Sequence, residues 1–157
     1  METNVLNFNP SILGIFCHWC SYAGADQAGT SRMQRSANLR IIRVMCGGRI
    51  TPEFITTALK DGIDGILISH CHPGDCHYVS GNLKTIRRIP LFLFYLKQFG
   101  INPKRVKYIF VSASEGAKLT NIVNKFVEEL KILGPSPIKN QNSNFIEKSL
   151  QNKVKII

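Results

Sequence analysis

The reactive side chains of this 157-residue sequence are concentrated in cysteines at short spacings: Cys17 and Cys20 in CHWC, Cys71 and Cys76 in CHPGDCHY, and Cys46 in MCGGR. Thiols arranged this way hold a soft metal, form a redox disulfide or supply a nucleophilic thiolate. An odd count of five speaks against a disulfide framework, and a chain of this length buries a core without a covalent staple. Two thiolate pairs make a tetrahedral zinc site, with His18, His70, His72 and His77 close by in sequence, so a zinc-binding structural or interaction module is one reading. A domain of this size, however, does not need zinc to fold. The same pairs each hold one iron of a 2Fe-2S cluster, Cys17 with Cys20 and Cys71 with Cys76, which leaves Cys46 over. A thiol redox enzyme built on CHWC is the third reading, and it leaves three cysteines unexplained. The C-x-H spacing of a Rieske-type centre is absent from CHPGDCH.

The elements that must position these thiols are legible as alternating strands and helices. SILGIF runs up to Cys17, LRIIRVM to Cys46 and IDGILISH to Cys71, and VKYIFVSAS has no cysteine; all four are short, apolar and β-branched, as buried strands are. Helices are predicted over SYAGADQAGTSRMQ, over TPEFITTALKDG with Thr51 as N-cap and Pro52 at the first helical position, and within residues 82–100. The last spans EGAKLTNIVNKFVEELKILG, where Leu119, Ile122, Val123, Phe126, Val127 and Leu130 recur at helical spacing and Gly134 ends the run. Alternation of this kind specifies a single α/β domain with a four-stranded parallel sheet, Rossmann-like or flavodoxin-like. The carboxyl ends of parallel strands share one edge, so Cys17, Cys46 and Cys71 converge there, with Cys20 and Cys76 in the loops just beyond. On that edge the backbone N–H groups of Gly47, Gly48 and Gly74 are expected to donate to sulfur. His72 and Asp75 are expected to orient the third loop, and Pro73 and Gly74 to shape its turn.

Other chemistries find less support. The formal charge is +10, but the cations are scattered rather than gathered into one run, which points to an acidic protein partner or a solvated surface instead of nucleic acid. The longest apolar run, Ile89 to Leu96, is too short to span a membrane. No secretory signal is recognisable in METNVLNFNPS, so a cytoplasmic protein is expected. P-loop, G-x-G-x-x-G and G-x-S-x-G motifs are missing. SASEG could seat a phosphate, but Ser112 and Glu115 match a capping box, the commoner arrangement.

Four segments in order, FCHWCSYAGADQAG, IRVMCGGRITPEF, CHPGDCHYVSGN and VSASEGAKL, resemble the delta subunit of the methyl-viologen-reducing hydrogenases, the small iron-sulfur subunit of methanogens and related anaerobes. The resemblance spans residues 12–134 and implies a 2Fe-2S cluster on four of Cys17, Cys20, Cys46, Cys71 and Cys76. It implies a non-catalytic relay of electrons between a nickel-iron hydrogenase or a formate dehydrogenase and the flavoprotein subunit of heterodisulfide reductase. His18, His70 and Gly47 depart from the Asn, Gly and Ser common in that family, and Pro90 falls in a segment the family makes helical, where it would kink the helix or move its start. Residues 135–157, opening with PSPIKNQNSN, read as a flexible polar tail in which Phe145, Ile146 and Leu150 could dock on a partner.

Overall fold

The computed structural model of the chain describes residues 8–138. Phe145, Ile146 and Leu150 therefore lie outside the described residues. Four strands, β1 (Ile12–Cys17), β2 (Leu39–Val44), β3 (Gly65–His70) and β4 (Val106–Phe110), pair in parallel in the order β2-β1-β3-β4. This is the strand order of flavodoxin-type sheets, whose ligand crevice opens where successive connections leave in opposite directions, here between β1 and β3. The register sets Cys17 beside Val44 and Phe16 beside Ser69, so the two central strands end level with each other.

Period-two alternation decides which helices cover each face. Ile15 on β1 with Ile66 and Ile68 on β3 point into one core, shared with α2 (Pro52–Lys60) and α3 (Gly81–Gln98) through Ile55, Leu59, Ile89 and Phe92. Phe16 and Leu67 point the other way, where α4 (Gly116–Leu133) contributes Leu119, Val123, Phe126, Val127 and Leu130. The first helix, α1 (Ala23–Thr30), packs on α4's side of the sheet, with Ala25 against that second core. Burial on both faces explains why all six residues of β3 are buried and why its first four, Gly65 to Ile68, carry no polar side chain. No helix among the described residues is long and apolar enough to cross a membrane.

Three local features differ from the sequence reading. The segment after β1 first forms a π-helical turn, His18–Tyr22, and only then α1. Pro90 does not move the start of α3, which runs from Gly81 to Gln98 with Pro90 inside it; the proline removes the N–H that the carbonyl of Ile86 would otherwise receive. The capping box before α4 is half formed: Glu115 accepts from the Ser112 N–H at 2.8 Å, but the Ser112 hydroxyl pairs with Ser114, and the helix begins beyond Glu115. The Glu115 carboxylate is instead shared with His72, in the loop after β3.

Two buried charged residues, Asp64 and Arg105, each with its own backbone partners, close the edge opposite the cysteines. Asp64 is fully buried and accepts from the backbone N–H groups of Ser11 and Ser136, each at 3.0 Å. Arg105, also buried, donates to the carbonyls of Asp64, Leu133, Gly134 and Pro135 at 2.8–3.3 Å. The carbonyls at the end of α4 are satisfied in this way by a cation, which also suits the negative end of the helix dipole. The first residues after Gly134 are consequently pinned, with Ser136 buried and Ile138 packed on the α2/α3 core.

Candidate metal centre

All five cysteines come to the carboxyl edge of the sheet, and all are free thiols. They form two groups. Cys17, at the end of β1, lies 3.6 Å from Cys71 just past β3, and Cys20 on the π-helical turn joins them so that all three sulfurs lie within 4.8 Å of one another. Cys46 and Cys76 form the second group, 3.8 Å apart. The grouping is not the one suggested by spacing: Cys71 and Cys76, neighbours in sequence, fall on different sides, and Cys46 has a thiol partner. Two thiolates on one tetrahedral metal, at a metal–sulfur distance of about 2.3 Å, stand about 3.8 Å apart, so both close contacts have the span of a shared metal. An all-sulfur donor set suits zinc or an iron-sulfur cluster and not a hard, oxygen-seeking cation.

Backbone geometry explains why the second pair comes together. The turn after β2 is a short 3-10 segment, Gly47–Arg49, in which the Gly48 N–H donates to Cys46 Sγ at 3.4 Å. Gly48 itself touches the first residue of α3, and a Cβ there would stand 2.8 Å from the Gly81 carbonyl oxygen. A Cβ on Gly81 would in turn overlap Cys46 Sγ. Arg88, further along α3, clamps the loop by donating to the carbonyls of Ile50 at 2.6 Å and Gly48 at 3.4 Å. Cys76 sits over the start of α3. Burial acts to raise its pKa, but the N–H groups of Asn82, Tyr78 and Gly81 and the Cys46 thiol outweigh it, and the pKa falls below the ordinary thiol value. This donor nest stabilises a negative sulfur.

Burial shifts three of the other thiols, Cys20, Cys46 and Cys71, toward the neutral form. Burial pushes Cys46 up despite the Gly48 N–H, and burial together with the neighbouring thiols Cys20 and Cys17 pushes Cys71 up strongly. Cys20 is raised by burial as well. A metal that displaces these protons would therefore exchange them for a soft cation at a site whose sulfurs are already gathered.

The expected loop residues divide by role. In the third loop the Asp75 N–H donates to the His72 carbonyl at 3.1 Å, closing the Pro73-Gly74 turn with Gly74 at a φ of 93°. The His72 carbonyl also accepts from Asn82 at 2.6 Å, and the His72 ring meets Glu115 at 2.7 Å, which ties the loop to the start of both α3 and α4. Asn82, missed in the sequence, carries a signal only in retrospect: a buried amide in the first turn of a helix. Trp19 stacks on His77 with ring centroids 3.9 Å apart, and its indole N–H lies 3.4 Å from the Tyr78 hydroxyl, joining the first and third thiol loops. Gly47 and His70 face each other: a Cβ at Gly47 would lie 2.9 Å from the His70 Cβ. His70 is fully buried, its Nδ1 3.0 Å from the Cys71 carbonyl oxygen and its pKa lowered by burial; its Nε2 and the His18 Nδ1 are buried without a hydrogen-bond partner among the described residues.

The family model described as methyl-viologen-reducing hydrogenase, delta subunit, matches residues 12–134. The chain is 48% identical over 133 residues to the vhc iron-sulfur subunit of the F420-non-reducing hydrogenase of Methanococcus voltae, covering 85% of this chain and 92% of that protein. It is 42% identical over 128 residues to the iron-sulfur subunit of the F420-non-reducing hydrogenase of Archaeoglobus profundus, covering 82% and 93%. A third relative, a subunit of the ferredoxin/F420H2-dependent CoB-CoM heterodisulfide reductase of Methanosarcina acetivorans, is 43% identical over 126 residues; these span 80% of this chain but 16% of that much longer protein.

Proposed function

The chain belongs to the delta-subunit family of methyl-viologen-reducing hydrogenases, and from that membership we propose that it is an electron-transfer subunit carrying a 2Fe-2S cluster at the carboxyl edge of its sheet. It relays electrons between a hydrogenase, of the nickel-iron type, or a formate dehydrogenase and the flavoprotein subunit of heterodisulfide reductase. The observation that carries the reading is the convergence of five thiols into two groups, each containing a pair at the span of one metal. The names of the hydrogenase relatives support an iron-sulfur cofactor. A matching stretch inside a heterodisulfide reductase subunit supports that protein as the electron partner, since there the same domain is part of one chain with it.

When bound, such a cluster supplies one-electron redox chemistry without proton transfer at carbon or oxygen. The residues of this chain do the rest. Cys46 and Cys76 would hold one iron and two of Cys17, Cys20 and Cys71 the other, which would make Cys46 a ligand. The N–H groups of Gly48, Tyr78, Gly81 and Asn82 would stabilise negative charge on the second pair of sulfurs. Exchanging each cysteine for serine tests the assignment. Cys46→Ser and Cys76→Ser should each lose most of the bound iron or shift the spectrum of the reduced state, and one member of the triad should be dispensable. Native iron content and an unchanged spectrum in Cys46→Ser would remove it from the ligand set.

A further inference from the structure

Beside Cys46 the surface opens into a groove of about 680 Å³ between the loop after β2 and the start of α3. Its walls are Met45, Phe54 and Tyr78, apolar or aromatic side chains each about half exposed. Arg49 and Lys84 stand on its rim, both exposed, and neither side chain has a hydrogen bond or ion pair among the described residues. Among those residues no carboxylate lines it. The bias extends further, because from Cys76 to Ser114 the sequence contains seven cations and no acidic residue.

A backbone feature next to this groove points the same way. Val79, which follows Tyr78, has a φ of 63° and is 83% exposed. A β-branched residue in the left-handed region is a true outlier that costs on the order of 1–3 kcal/mol and persists where the surroundings enforce it. Here the Cys76–Asn82 segment enforces it, since the N–H groups of Tyr78, Gly81 and Asn82 are turned toward Cys76 Sγ, and the neighbouring Tyr78 and Ser80 line the groove.

We propose that this groove receives a protruding apolar segment flanked by carboxylates on a protein partner, which seats the partner on the Cys46 side of the thiol edge. The inference rests on the electron-transfer reading and deepens it by choosing the face through which the partner approaches. Charge selects among occupants. A second copy of the chain would oppose Arg49 and Lys84 to their own equivalents, and a concave wall takes a protruding side chain better than a flat layer of lipid headgroups.

The test uses the full chain, purified without oxygen, titrated with the heterodisulfide reductase flavoprotein from the same organism at low and high salt. Arg49→Glu with Lys84→Glu should weaken binding by about tenfold or more at low salt and flatten its salt dependence, with iron, sulfide and the EPR signal unchanged. Lys104→Glu with Lys125→Glu, which changes the charge equally at exposed positions away from the groove, should leave binding within about twofold. Phe54→Ala should weaken binding at both salt concentrations. Equal loss in the two charge variants, native binding by the first, or no binding by the wild-type chain would each overturn the proposal. So would a first variant that binds the flavoprotein normally but has lost affinity for phosphatidylserine vesicles or for itself. A chain that docks through this groove yet carries no iron or sulfide would leave the docking site standing and remove the electron-transfer reading.

Discussion

Gly47→Ala tests the packing behind the thiols, because its consequence depends on one opposing residue. The added Cβ would stand 2.9 Å from the His70 Cβ and 3.1 Å from its Cγ, closer than these atoms tolerate. His70 cannot swing aside: it is fully buried, with Nδ1 at the Cys71 carbonyl and the ring edge-on to Phe110 at 5.1 Å. Overpacking of this kind costs about 1–3 kcal/mol. For a protein of this size that corresponds to a fall in Tm of roughly 2–12 °C. Gly47 is not at positive φ, so the substitution carries no backbone penalty, and without the clash it would stabilise by about 0.4–1 kcal/mol through the unfolded chain. The assay is therefore a double-mutant cycle on the anaerobically purified protein, followed by thermal unfolding. Gly47→Ala should destabilise the wild type but be neutral or stabilising in a His70→Gly background, a coupling of at least about 1 kcal/mol. An equal loss in both backgrounds would refute the reasoning that these residues share one space.

Gly81→Ala should lose bound metal, because its Cβ overlaps Cys46 Sγ, whereas Gly65→Ala, which meets Leu130 and Phe126 in the core, should lose stability and keep its metal content; metal analysis beside thermal unfolding separates them. Arg105→Met removes the donor to four carbonyls and should destabilise by about 2–4 kcal/mol in urea unfolding, with iron content unchanged because the residue lies at the opposite edge. Glu115 has its pKa held down to about 2 by the His72 hydrogen bond, then by the Ser112 N–H and Lys118. A depressed carboxylate stabilises the fold above its unfolded pKa and ceases to do so as pH falls through its folded value. Stability of the metal-free protein should thus decline as pH drops from about 4.5 toward 2, and Glu115→Gln should show a shallower decline over that window.

The parallel sheet was legible because its signals are local: four β-branched runs, helices between them, and cysteines at or just past the ends of three. Parallel pairing then brings those ends to one edge whatever the order of the strands. The sulfur grouping was not legible, because sequence spacing does not fix the direction in which a loop side chain points. Cys76 turns toward Cys46 since the N–H groups of Tyr78, Gly81 and Asn82 surround it, and that nest exists only once α3 begins at Gly81. The link between His72 and Glu115 joins residues 43 apart, and the Asp64–Ser136 contact joins residues 72 apart, so no local pattern announces either. Arg105 looked like one more surface cation among twenty Lys and Arg, until the end of α4 supplied its acceptors.

The central claim is that these thiols hold a redox cluster, and one preparation decides it: the protein purified without oxygen, with iron, zinc and acid-labile sulfide counted per chain and an EPR spectrum taken before and after reduction. Iron and sulfide in equal amounts near two per chain, visible colour, and a signal appearing on reduction are the predicted result. Colourless protein with zinc on the same thiols and no signal would contradict it.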